Sequence, residues 1–220
     1  PTALAEARKS LDLEPQLDDG YAALVRYYRD VELDFNSVET TCRSALEKVA
    51  NPFRILVNCA PVQSLRGNHE IAELWARDAV RLRPQWEYTW FTQATVLWRA
   101  GRTEDAIAPA RKAVEVDPTS IGSRGILAII AAEKKDFAEA ERVLRAGLPS
   151  SGIDREEWYA FLGYVAAASG NKEVAARMTQ RLEDRARTHV VSPVSFARIR
   201  MGEGNFDAAL TLLEEGVRRR

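Results

Sequence analysis

The sequence predicts an all-α array of stacked helical hairpins, on three observations. A period of about 34 residues runs along the 220-residue chain. Within each period, apolar residues recur at three- and four-residue spacing, as at Ala106, Ala110, Ala113 and Val114. Turn residues punctuate the pattern at fixed places, and proline closes helices at Pro84 and Pro118.

The period is carried by small residues. "RGNHEIA", "AGRTEDA", "KKDFAEA", "SGNKEVA" and "EGNFDAA" each place a turn ahead of an alanine: Ala72, Ala106, Ala140, Ala175 and Ala209. Glycine holds the turn at Gly67, Gly101, Gly170 and Gly204, and Lys135 stands in once. Twelve residues before each alanine lies a second small residue: Ala60, Ala94, Ala128, Gly163 and Ala197. Two helices of a hairpin approach closely only where the crossing side chains are small, so each such pair marks a crossing.

Taken in order, residues 2–15 form a lone helix, the second half of a unit whose first helix is absent. Six helix–turn–helix units follow at 16–51, 52–85, 86–119, 120–153, 154–190 and 191–220, as one array over 1–220. In the first of them Tyr28 and Val38 hold the repeat positions. Pro61 and Pro109 fall inside helices and are expected to kink them. Gly122 and Gly125 weaken the first helix of the fourth unit by roughly 1 kcal/mol each relative to alanine, which suits either a flexible joint or the close approach of a neighbour's backbone or a ligand, the packing reading being preferred.

This pattern resembles the tetratricopeptide repeat (TPR). Trp90, Ala94 and Leu97 fall on the first-helix signature positions, Ala106, Ala113 and Pro118 on those of the second helix, and Leu162–Gly163 reproduce the Leu-Gly pair. The resemblance covers nearly the whole chain. It implies a right-handed superhelical solenoid whose concave face, lined by first helices, receives a peptide or a partner domain. "DVELDFNSVETTCRSALE" and "HVVSPVSFARIRMGEGNFDAALTLLEEGVRR" are also similar to C-terminal TPR regions of bacterial signalling proteins, where the array follows a winged-helix, cyclase, kinase or TolB-like part. That similarity implies a larger bacterial regulatory protein, and the start at Pro1 fits a piece of one.

Helical phase selects the candidate groove. Along residues 87–100, Tyr88, Phe91, Thr95 and Trp98 share a side, with Thr92 and Arg99 at its edge, while Trp90 is structural and Trp86 staples the preceding loop. The same phase adds Arg26, Arg29, Arg54, Asn58, Tyr164 and Arg198. Aromatic anchors beside forked arginine donors suit an extended peptide carrying apolar and acidic side chains; the competing reading makes Tyr88, Phe91 and Trp98 core and Arg26, Arg29 and Arg54 plain solvated surface. The lysine–asparagine clamp by which some TPR modules hold a C-terminal carboxylate is absent; its places are taken by Asn58, Phe91, Thr92, Gly122 and Ile126.

Composition narrows the rest. A net charge of -1 argues against a general nucleic-acid binder, and no apolar run is long enough to span a membrane. Cys42 and Cys59, 17 residues apart, are expected to be buried thiols behaving as small apolar side chains. His69 and His189 are isolated, and Glu156, Glu157, Glu214 and Glu215 lie at helix starts or on solvated faces, so no catalytic or metal set emerges and no cofactor is expected. The chain therefore reads as a cytoplasmic protein–protein interaction module, not an enzyme. The alternative is an assembly element, forming a homodimer or meeting an upstream domain through its terminal repeats; an accessory domain of an enzyme ranks third.

Overall fold

The computed structural model describes residues 2–147 and 155–218. The boundary expected at 153/154 and the terminal Arg219 and Arg220 lie outside them. Among the described residues there are thirteen α-helices and one π-helical turn, in two compact units, Pro1–Asp117 and Pro118–Arg220. The first unit holds α1 (Thr2–Leu13) and three hairpins: α2 (Asp18–Tyr27) with α3 (Phe35–Lys48), α4 (Phe53–Leu65) with α5 (His69–Leu82), and α6 (Glu87–Arg99) with α7 (Thr103–Val116). The second holds α8 (Ile121–Glu133) with α9 (Phe137–Arg145), α10 (Glu156–Ala168) with α11 (Lys172–Ala186), and α12 (Pro193–Gly202) with α13 (Phe206–Arg218).

The hairpin turns share one chemistry. Gly67, Gly101, Gly170 and Gly204 all have positive φ, and Lys135 adopts the same conformation at φ 61°. Each ends its helix in a Schellman motif: the N–H of the next residue returns to a carbonyl five residues back, as from Asn68 to Gln63 and from Asn171 to Ala166, at 2.9 and 2.8 Å. In three of the five turns that next residue also caps the second helix through its side chain. Asp136, Asn171 and Asn205 accept from the backbone N–H three residues on at 3.1–3.2 Å. Asp34 does the same for Asn36 and Ser37.

The first hairpin continues the period one step earlier, because Leu33 also has positive φ, at 55°. There α2 runs into the π-helical turn Tyr28–Glu32, and the closing bond reaches from Asp34 N–H to the Tyr28 carbonyl, one residue wider than in the other hairpins.

The small residues sit where the crossings need them. Ala60, Ala72 and Ala76 share one core cluster with Val96, and Ala128 and Ala140 share another with Leu144, Trp158 and Phe161. Gly163 admits the side chain of Ile199, which a Cβ there would meet at 2.6 Å. Both α4 and α7 continue as α-helix through Pro61 and Pro109.

Long-range polar contacts set the hairpins against one another. In the first unit the Asp18 carboxylate, at the start of α2, accepts from the N–H groups of Arg54 and Ile55 at the start of α4, at 3.2 and 3.3 Å. Glu156, at the start of α10, makes the same connection in the second unit, accepting from the Ser192 N–H and the Ser195 hydroxyl at α12. Asp18 thereby supplies acceptors to two helix N–H groups that have no partner within their own helix, and Glu156 to the capping residue and a first-turn hydroxyl of α12. Arg124 is buried inside the fourth hairpin. Its guanidinium donates to the Pro118 and Val143 carbonyls at 2.7 and 2.8 Å.

The cysteines depart from the sequence reading. Cys42 on α3 and Cys59 on α4 form a disulfide rather than lying as free thiols. Seventeen residues of separation suggest no known motif, yet the hairpin stack brings one turn of each helix together, with Cα atoms 6.2 Å apart.

Candidate functional site

Unit 1 gathers aromatic rings and arginines onto the starts of its first helices. Phe53 opens α4 and Trp86 precedes α6; their rings meet edge to face, with centroids 5.2 Å apart. Trp86 continues to Tyr88 at 5.6 Å, and Tyr88 stacks on Phe91 at 5.5 Å. Four rings therefore form one chain of contacts across two consecutive hairpins. Trp86 and Tyr88 back onto Leu56, Val57 and Ala79, so the rings are half-buried and held by the core.

Arginines flank this strip. The Arg54 guanidinium lies 5.2 Å from the Phe53 ring centre and 5.8 Å from that of Trp86, and Arg83 lies 4.9 Å from Phe53. Arg54 also pairs with Asp19 at 2.9 Å. Among the described residues, Arg83 has no carboxylate partner. Arg29 forms a forked pair with Asp30 at 2.7 and 2.8 Å, which holds its pKa above the ordinary value, and it also feels the Tyr88 hydroxyl electrostatically. Arg99 reaches solvent, yet the surrounding protein lowers its pKa by desolvation. Burial raises the pKa of Asp18, which orients the start of α4, against the opposing effect of the two N–H groups it accepts from.

Of the residues selected by helical phase, Tyr88 and Phe91 stack on each other, Arg54 meets the strip at Phe53 and Trp86, and Arg29 lies near Tyr88. Arg26 is exposed on α2 and joins none of these contacts. Trp98 is half-buried in the last turn of α6. Two of the residues assigned to the groove point inward instead. Thr95 is buried and its hydroxyl donates to the Phe91 carbonyl at 2.8 Å, and Asn58 is buried with its amide donating to the Arg54 carbonyl at 2.7 Å. Each spends its polar group on its own helix, leaving little to offer a ligand. The two tryptophans exchange roles as well. Trp90 staples the loop through its indole N–H to the Pro84 carbonyl at 2.7 Å, while Trp86 joins the ring strip.

Sequence reasoning missed Phe53, Arg83 and Trp86. They stand at helix starts or in the preceding loop, where the phase of 100° per residue does not apply. Their signal was the pair "NPFR" and "RPQW", each an aromatic one or two residues after a proline in the loop that leads into a first helix.

Unit 2 carries Tyr164 and Arg198. Arg198 lies 4.1 Å above the Phe161 ring, and its burial lowers its pKa, partly offset by Glu157. Desolvation and Glu133 raise the pKa of Tyr164. This unit also has a cleft of ≈ 540 Å³ between α9 and α11, lined by Phe137, Arg145, Leu162, Met178 and Arg181 among others. Arg145 is tied to Glu141 there, and Arg177 to Glu173. Among the described residues no group of three or more His, Cys, Asp or Glu could hold a metal, and no helix is long and apolar enough to cross a membrane.

Antiparallel helical hairpins stacked in series define the helical-repeat class of fold, and comparison with solved structures specifies which repeat. PilW, a widely conserved type IV pilus biogenesis factor, aligns with a TM-score of 0.67 at 17% identity, over 91% of this chain and 92% of its own. A thermophilic TPR protein of Thermus thermophilus aligns at 0.68 and 15% identity, over 89% and 100%. YrrB, described as a TPR protein with an unusual peptide-binding site, aligns at 0.53 and 14%, over 94% and 97%. No family model and no curated protein matches the sequence. The chain has the all-α tetratricopeptide-repeat fold.

Proposed function

We propose that this chain is a protein–protein interaction scaffold, and that unit 1 binds an extended peptide across Phe53, Trp86, Tyr88 and Phe91. One observation carries the reading: four touching rings span two hairpins, bordered by Arg54 and by Arg83, which has no carboxylate partner among the described residues. Core-backed rings lose little side-chain entropy on binding, and arginine adds directional donors to acidic side chains. The ligand is a segment alternating apolar and acidic residues. The peptide-binding site named for YrrB supports use of this fold for peptides. The similarity of the chain's first and last hairpins to repeat regions of bacterial signalling proteins supports a place in a larger regulatory protein.

The test uses tryptophan fluorescence. A peptide alternating Asp or Glu with Phe or Leu is titrated against its Lys-substituted counterpart. The acidic peptide binds more tightly, and Tyr88→Ala and Phe91→Ala each weaken it by about 5–30-fold, the range of a 1–2 kcal/mol anchor. Unchanged affinity in a folded Tyr88→Ala/Phe91→Ala double variant discards this face.

A second reading, self-association through α13, rests on Phe206, Leu210, Leu213 and Val217, which line one side of that helix and are all exposed. In the first four hairpins Cys42, Ala76, Ala110 and Leu144 hold the place of Leu213 and are fully covered, while Thr179 in the fifth is half-buried. Light scattering over a concentration series decides it, and a mass that stays monomeric throughout rejects it.

A further inference from the structure

The disulfide joins successive hairpins, since Cys42 belongs to the second helix of the first and Cys59 to the first helix of the next. Both residues lie in the core cluster that includes Tyr21, Val25, Val38 and Ile55, with exposures of 1% and 0%. They are the chain's only cysteines, so its thiol chemistry resides in this bond. At the corresponding seam in the second unit the same two places are held by Leu144 and Leu162, packed in one cluster. A covalent link thus stands where that seam relies on apolar contact.

We infer that this bond is a permanent staple and that the chain matures in an oxidising compartment, outside the reducing cytosol. The bond closes by thiol–disulfide exchange. The thiolate of one cysteine attacks a disulfide of an oxidant protein to form a mixed disulfide, and the second thiolate displaces the oxidant's remaining sulfur. The two electrons and two protons lost by the pair end as two thiols on the oxidant. Once the helices pack, neither sulfur is open to a soluble thiol, so reduction requires local unfolding. That burial distinguishes a structural bond from an exposed, cycling one. Cytosolic thiol pools keep such pairs reduced, whereas exported proteins retain them. This placement stands against the cytoplasmic one read from the sequence.

The test traps thiols in cells of the source organism. Cells are quenched in acid, denatured, and alkylated with a mass-tagged maleimide, and the full chain is analysed by mass spectrometry. The expected result is no tag on most molecules without reductant and two tags after reduction. Two tags on most molecules without reductant overturn the inference. In the purified chain, reduction under native conditions proceeds far more slowly than in denaturant, and the reduced protein melts roughly 6–12 °C lower. Equal reduction rates in the two conditions also overturn it. Neither readout requires a cysteine variant to fold.

Discussion

Replacing Gly125 by alanine separates local helix preference from packing, because the two act with opposite sign. Considered as an isolated helical residue, Gly125→Ala stabilises α8 by about 1 kcal/mol. In the folded chain the added Cβ falls 2.0 Å from Cζ of Phe161 and 2.4 Å from both Cε atoms. The ring must therefore retreat by about 1.5 Å to reach an ordinary contact distance. It has little freedom to do so. Phe161 is buried in a cluster with Ala128, Leu144 and Trp158, and Arg198 covers it at 4.1 Å. Overpacking of this kind costs about 1–3 kcal/mol, and disturbing the cation–π contact adds up to about 1. The variant should be less stable by about 1–2 kcal/mol, lowering Tm by roughly 2–8 °C. Phe161→Leu removes the obstacle, and in that background Gly125→Ala should stabilise by about 1 kcal/mol, a coupling of about 2–3 kcal/mol. Thermal and urea melts followed by circular dichroism measure all four corners of the cycle. A single Gly125→Ala variant that melts above the wild type refutes the packing argument.

The remaining expectations concern turns, caps and buried charge. Lys135→Gly should raise stability by about 0.5–1 kcal/mol in urea melts, since relief of left-handed strain exceeds the added chain entropy. Burial raises the folded pKa of Asp18 above its ordinary 3.8, so between those values the folded chain holds a proton that the unfolded chain has lost. Stability from this group therefore falls as pH rises through that window, and Asp18→Asn should flatten that part of the stability–pH curve; an unchanged slope would remove Asp18 as its source. Arg124→Met deprives the Pro118 and Val143 carbonyls of their donor and should cost about 1–3 kcal/mol by the same melts.

The hairpin architecture was legible because its causes are local and repeated. Gly67 and Gly101 appear where the backbone turns left-handed, Asn171 and Asn205 where a helix start needs an acceptor, and Ala72 and Ala106 where two helices cross. Each is a requirement on residue type at a fixed offset, met again every 34 or 35 residues, so repetition separates it from coincidence. Lys135 shows the strength of that signal, since a residue that disfavours positive φ adopts it at the expected place.

The candidate face was legible only in part. Helical phase located Tyr88 and Phe91 because both lie within α6, and it placed Thr95 and Asn58 outward although both are buried. Phase gives a direction relative to one helix axis, whereas burial depends on how closely the next hairpin approaches.

Sequence alone determined the helices, their turns and the small residues that let pairs cross, because those depend on residues a few positions apart. Tertiary structure decided the Cys42–Cys59 bond, the reach of Asp18 to the start of α4, and the joining of Phe53 to Trp86 and Tyr88. Each of these links side chains on different helices, and their meeting depends on the offset and tilt between helices, which are set by the summed packing of the core rather than by any one spacing in the chain.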